Sequence, residues 1–348
     1  VTPAPRPFAS TLEDRTFVYQ PHTIRGNKPV AIGHQYSTLV AFPEKEGPTA
    51  PPWVVPLEVR RVSSQQTGTE VGAQQMETLL TDETLPFREK LCVEVVDSAY
   101  SAVSFLGRVA NYDNLVTIAR LRSNRTLKRL PPQQDKDSHR QGHPTWYGQD
   151  FKLPDPASWG RPDEVAQTSY TTRTGRVYKV HLEAWHNLLM QGTRQFAMHY
   201  HPFTLIRCQV VDDDGYLVFQ RALWLLVMGI RQGEVSLVDA WQAYGQRYNL
   251  EHFFRFGKQR LLLTAYQTPQ VQHEENWWQI VQLAYIQLWL ARHMAGDLPR
   301  PWERYLPKPQ IEVAAPTAVQ RDFGRIIRQI GTPASVLKPR GKSPGRVH

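Results

Sequence analysis

The chain has 348 residues, enough for two domains or for one large domain carrying an insertion. Hydrophobic residues at 41% and aromatics at 11% exclude a disordered chain, and no apolar run reaches the ~18 residues of a membrane span. Lys and Arg number 41 against 32 Asp and Glu, a net charge of +9 that favours an anionic partner, nucleic acid first.

Two cysteines, Cys92 and Cys208, each sit in an apolar run. They read as reduced core thiols, not as a disulfide scaffold or a zinc site. No signal-peptide pattern is visible, so cytoplasm is the expected compartment.

Residues 1–27 are Pro-rich and read as irregular. Lys28 to Phe42 is β-rich, and a Pro-rich turn leads from it to a second strand, Trp53 to Val62, as a hairpin with a long loop. Gly68 to Leu80 has helical spacing, with Thr69 as its cap. Lys90 to Asp97 is nearly continuous in apolar residues and reads as a buried parallel strand ending in an acid. A helix over Ser101 to Asn111 and a strand over Leu115 to Leu121 follow, the latter running into Arg122-Ser-Asn-Arg125. This β-α-β alternation implies a right-handed crossover. Ligands of such sheets lie beyond the strand C-termini, where Asp97, Arg122 and Arg125 fall.

From Thr126 to about Ser169 the composition is that of a polar linker. Tyr170 to Ala184, Thr204 to Asp212 and Tyr216 to Val227 read as antiparallel strands. Ser236 to Leu263 reads as one long helix and Asn276 to Met294 as a second, apolar one. The basic, Pro/Gly-rich end from Lys338 to Arg346 has the composition of a disordered tail. His34, His199, His201 and His252 lack the spacing of a zinc site, and no phosphate-binding Gly loop occurs.

Within the long helix, Tyr244, Arg247, Glu251 and Lys258 fall within about 60° of each other at about 100° per residue. A carboxylate is thereby held among cations. The bland alternative is a solvated face with one Glu–Arg pair, worth a few tenths of a kcal/mol. The spacing Tyr-x2-Arg-x3-Glu-x6-Lys resembles the signature of the DDE transposases of bacterial insertion sequences. Asp97 at a strand end, the Tyr100 that follows, and the Arg120 to Arg125 run fit the same family.

The resemblance implies an α/β fold: an RNase H-like core with a β-rich insertion before the Glu-bearing helix. Residues 1–125 would be the first part of the core, 126–229 the insertion, 230–335 the C-terminal helical part and 336–348 the tail. It implies transposase activity, Mg²⁺-dependent cleavage and transfer of DNA strands, with Mn²⁺ as a substitute metal. Asp97 and Glu251 would be metal ligands; for Asp97 a helix N-cap is the competing reading. Tyr244, Arg247 and Lys258 would contact DNA phosphates, as would Arg122 and Arg125. Trp224 would stack on an extruded base, against the plainer reading of a core Trp. The partners implied are the terminal inverted repeats and target DNA, bound by a homodimer near the nucleoid.

The family's first acid closes the first core strand just ahead of a Thr and an Arg. Here the sequence opens Val1-Thr2 and reaches Arg6, so that strand and its Asp are expected upstream of Val1, with Asp14 the competing position. Such a chain would cut DNA weakly or not at all. A non-catalytic DNA-binding remnant and another RNase H-like nuclease are the alternatives.

Overall fold

The computed structural model describes residues 1–19, 30–47, 50–132, 146–172, 175–295 and 313–331. Two short strands, β1 (Thr2–Pro5) and β2 (Thr16–Tyr19), form in the stretch expected to be irregular. Prolines hide β1 in the sequence, since Pro lacks the N–H of a ladder bond and is confined to sheet edges. Both strands pair antiparallel with β3 (Val30–Ala41) on opposite edges of it, β1 along residues 33–36 and β2 along 30–33. Both ladders reach Gly33, where a Cβ would run into the Ala4 carbonyl oxygen. β4 (Val55–Val62) is antiparallel to residues 35–41 of β3, on the edge opposite β1.

Helix α1 (Gly68–Thr81) is capped by Thr67, not by the expected Thr69. Thr67 Oγ1 accepts from the Glu70 amide at 3.3 Å, and Glu70 Oε2 accepts from the Thr67 amide at 2.7 Å, a capping box. The expected crossover follows: β5 (Cys92–Val96), α2 (Val103–Val109) and β6 (Leu115–Leu121), with β5 parallel to β6. The expectation that β5 is buried fails. It forms the edge of a six-stranded sheet, and its Val93 is 41% exposed.

The presumed linker is partly structured. β7 (Thr126–Lys128) pairs with β8 (Asp150–Lys152), and Leu127 and Phe151 in them are fully buried. β9 (Glu164–Thr171), β10 (Val177–Leu188), β11 (Phe203–Val211) and β12 (Leu223–Met228) are antiparallel neighbours. The strand expected over Tyr170 to Ala184 thus spans the β9–β10 hairpin turn. β12 is antiparallel to β6, with Trp224 opposite Leu121, so the β-rich segment extends the same sheet in the order β5-β6-β12-β11-β10-β9.

The long helix is two, α3 (Leu237–Gln246) and α4 (Tyr248–Arg260), broken at Arg247. There the Arg247 amide bonds back to Tyr244 and that of Leu250 to Arg247, one residue tighter than α-helical spacing. α5 (Val271–Leu290) packs on the four-stranded sheet, its Trp278 stacked on Tyr36 at 4.0 Å. A further helix, α6 (Pro316–Ile330), lies beyond the elements read from the sequence. Among the described residues no helix is long and apolar enough to cross a membrane. The expected tail lies outside the described residues.

Candidate active site

β5 and β6 run parallel with Val96 opposite Ala119, so Asp97 and the run from Arg120 to Arg125 leave the same end of the sheet. Asp97 Oδ1 accepts from the Ala99 amide at 2.8 Å. It therefore shapes the turn after β5 and does not cap α2, whose N-cap is Ala102.

Asp97 opens into a cleft of about 540 Å³. One wall is the outer edge of β5, which has β6 on one side only. The facing wall is residues 37–41 of β3 and Phe42 after it, beyond the pairing of β3 with β1. Val1, Tyr100 and Arg247 also line it.

The break between α3 and α4 aims Arg247 into the cleft. Its Nη2 donates to Glu251 Oε1 at 3.1 Å, and its guanidinium carbon lies 5.7 Å from the Tyr244 ring centroid. Its Nε is buried without a hydrogen-bond partner among the described residues. Glu251 is about half exposed beside the cleft, its side chain 48% accessible. Lys258 is exposed on the same stripe of α4, and Arg122 is exposed past β6. Arg125 is partly buried, its amide closing a turn on the Arg122 carbonyl.

Two expected residues lie elsewhere. Trp224 is 4% exposed and packs edge-on against Trp159 at 5.1 Å and near Trp185 at 6.0 Å. Its indole belongs to the core and offers no face to a base. Asp14 is ion-paired with Arg61 and accepts from the Ser64 amide at 3.0 Å, away from the residues that line the cleft.

One acid of the cleft escaped the sequence reading. Glu94 on β5 accepts from Thr117 Oγ1 at 2.9 Å across the β5–β6 pair, and burial pushes its pKa up to about 7. A lone acid inside the apolar run from Leu91 to Val96 was the signal. Tyr100 stands near both acids; burial raises its pKa to about 12, Ser37 opposes through a hydrogen bond, and Asp97 and Glu94 add to the rise.

A family model described as DDE superfamily endonuclease matches residues 1–187, just over half of the chain. The chain belongs to the DDE superfamily endonucleases. The matched stretch contains β5 and Asp97 and ends within β10, ahead of Glu251. No curated protein matches the chain. The family generally uses divalent metal ions, yet among the described residues no three His, Cys, Asp or Glu side chains gather to hold one. Asp97 and Glu251 by themselves do not make a three-acid metal set.

Proposed function

We propose that this DDE endonuclease is the catalytic core of a transposase, cleaving DNA at insertion-sequence ends and joining the freed strand to a target. The observation that carries this reading is the placement of Asp97 in a cleft it shares with Arg247, the residue that holds Glu251. Two carboxylates 154 positions apart in sequence are thereby tied to one region of the surface.

Cleavage and strand transfer are both in-line displacements at phosphorus, with water or a 3′-hydroxyl as nucleophile. The residues present would bind and orient the DNA. Arg247, Tyr244 and Lys258 suit phosphates along α4, and Arg122 and Arg125 suit phosphates past β6. Mg²⁺ is a hard ion that prefers carboxylate oxygens, and the described acids fall short of a full set for it. A residue preceding Val1 would extend β1 along β3 into the cleft, since Thr2 is opposite Tyr36. A carboxylate there would join Asp97.

The shortage of gathered acids among the described residues favours one rival, a remnant that binds DNA without cutting it. The test is incubation with duplex carrying the element's terminal inverted repeats, or scrambled duplex, in Mg²⁺ or EDTA. Nicking at the repeat end that needs Mg²⁺ and is lost in Asp97→Asn and Glu251→Gln supports the transposase. The assay is run on this chain and on a variant with an Asp-containing extension ahead of Val1. Repeat-selective binding without nicking in both leaves the remnant. Equal cutting of random DNA or RNA leaves another nuclease of this fold.

A further inference from the structure

His34 on β3 lacks the spacing of a zinc ligand, and the structure gives it another setting. Its ring is fully buried between α5 and the loop that joins β1 to β2, residues 6–15. Nε2 lies 2.8 Å from the Glu13 carbonyl oxygen, and Nδ1 lies 3.0 Å from Glu274 Oε2. A carbonyl oxygen only accepts, so Nε2 carries a hydrogen. An ionised carboxylate also only accepts, and Arg6 Nε, 3.2 Å from the same oxygen, suits that ionised form. Both ring nitrogens therefore face acceptors. A neutral imidazole has one N–H and serves one acceptor at a time, whereas an imidazolium serves both.

The loop is tied down by polar contacts. Arg6 reaches Glu274 and donates through Nη1 to the Thr264 carbonyl at 3.0 Å. Arg15 Nη1 donates to the Arg6 carbonyl at 2.9 Å, and Asp14 is ion-paired with Arg61. Glu13 joins the sheet through His34. The charged and titratable groups set around His34 are Arg6 after β1, Glu274 and Glu275 on α5, Tyr36 on β3, and Asp14 and Arg61 from the loop and β4. Burial, then Glu274, pushes the pKa of the Tyr36 hydroxyl up, so it stays neutral. Among these types, histidine is the one whose ordinary titration falls near neutrality. β1 leads directly into the loop, and Val1 just ahead of β1 lines the cleft of Asp97.

We propose that His34 is a proton-operated clip: doubly protonated it joins Glu13 to Glu274 and holds the N-terminal segment against α5, and with one proton lost it releases one of the two, so that residues 1–15 loosen beside the cleft. The proton passes to solvent as pH rises, and hydrogen bonds are all that change. The clip is therefore closed in acid and opens as pH rises. What weakens the attachment is the loss of one charge-assisted hydrogen bond inside a dry site. The device belongs to the free chain and stands apart from the DNA reading above.

Two measurements on the full chain test it, NMR of the His34 ring nitrogens and amide hydrogen exchange. The amides followed are those of Arg6 and Leu12, bonded to the Ile32 and Ala9 carbonyls at 2.8 Å and 3.1 Å. Exchange is read at about pH 5.5 and about pH 8.5 and corrected for the intrinsic rate. The Leu182 amide in the six-stranded sheet reports general stability. Two protonated ring nitrogens are expected at the lower pH, with Arg6 and Leu12 about tenfold better protected there and Leu182 changing less. His34→Gln has one donor end and cannot serve both acceptors, so it is expected to show the weaker protection at both pH values. Its thermal midpoint checks folding; should the variant not fold, the wild-type series decides. A single protonated nitrogen at the lower pH, wild-type protection that does not change with pH, or strong protection in His34→Gln at both pH values overturns the clip. A fall shared equally by Leu182 overturns it too, because unfolding of the whole chain then accounts for the exchange.

Discussion

Arg247 and Glu251 stand one turn apart across the break between α3 and α4, their side chains joined at 3.1 Å. Glu251 is about half exposed, so the pair contributes little to folding. Its use is to hold Glu251 in one rotamer while leaving it open to a ligand. Glu251→Gln is expected to keep the thermal midpoint and the DNA affinity of the wild type and to abolish nicking wherever the parent chain nicks. A large fall in the midpoint would make the residue structural instead.

Arg247 and Lys258 are read as phosphate contacts, which predicts a particular salt dependence. Each replacement by Ala is expected to weaken binding to all duplex sequences alike. Each is expected to reduce the slope of log K against log salt by about one. Filter binding at several salt concentrations measures this. An unchanged slope would remove that residue from the interface.

Glu274 on α5 is fully buried; it is ion-paired with Arg6 Nε at 3.2 Å and hydrogen-bonded with His34 Nδ1 at 3.0 Å, both fully buried too. This pins the N-terminal sheet to α5. Glu274→Gln leaves Arg6 uncompensated in the interior and is expected to cost about 3–5 kcal/mol in urea denaturation. A cost below about 1 kcal/mol would mean that water reaches the site.

Glu94 gives a pH signature. Burial raises its folded pKa from the ordinary 4.5 to about 7. Between those values the folded chain keeps a proton that the unfolded chain releases. Its contribution to stability is therefore present below pH 4.5 and lost as pH rises towards 7, by at most about 3 kcal/mol. Denaturation midpoints at pH 5 and pH 8 should differ in this sense, and Glu94→Gln should flatten the difference. A wild-type profile that matches the variant would show that the carboxylate is ionised throughout.

Trp224 separates core from interface. With Trp159 and Trp185 packed around it, Trp224→Ala is expected to cost about 3–5 kcal/mol. Trp224→Phe is expected to leave DNA affinity unchanged. A selective loss of DNA binding in the Phe variant would restore the base-stacking role.

What the sequence determined was local and periodic. The β5-α2-β6 crossover, the β3–β4 hairpin and the one-turn spacing of Arg247 and Glu251 were all readable, because side-chain period and turn chemistry act over a few residues. β1 was not readable, since Pro3 and Pro5 mask a strand that forms only because β3 offers an edge. Nor was the break at Arg247, because the flanking residues all tolerate helix and the kink is set by what each half packs against. The edge position of β5 and the core position of Trp224 depend on which strands become neighbours, and pairing partners far apart in the chain leave no periodic trace. The cleft itself is of this kind. Asp97 and Arg247 meet there because β5 and the α3–α4 bend converge, and only the packed sheet and helices bring them together.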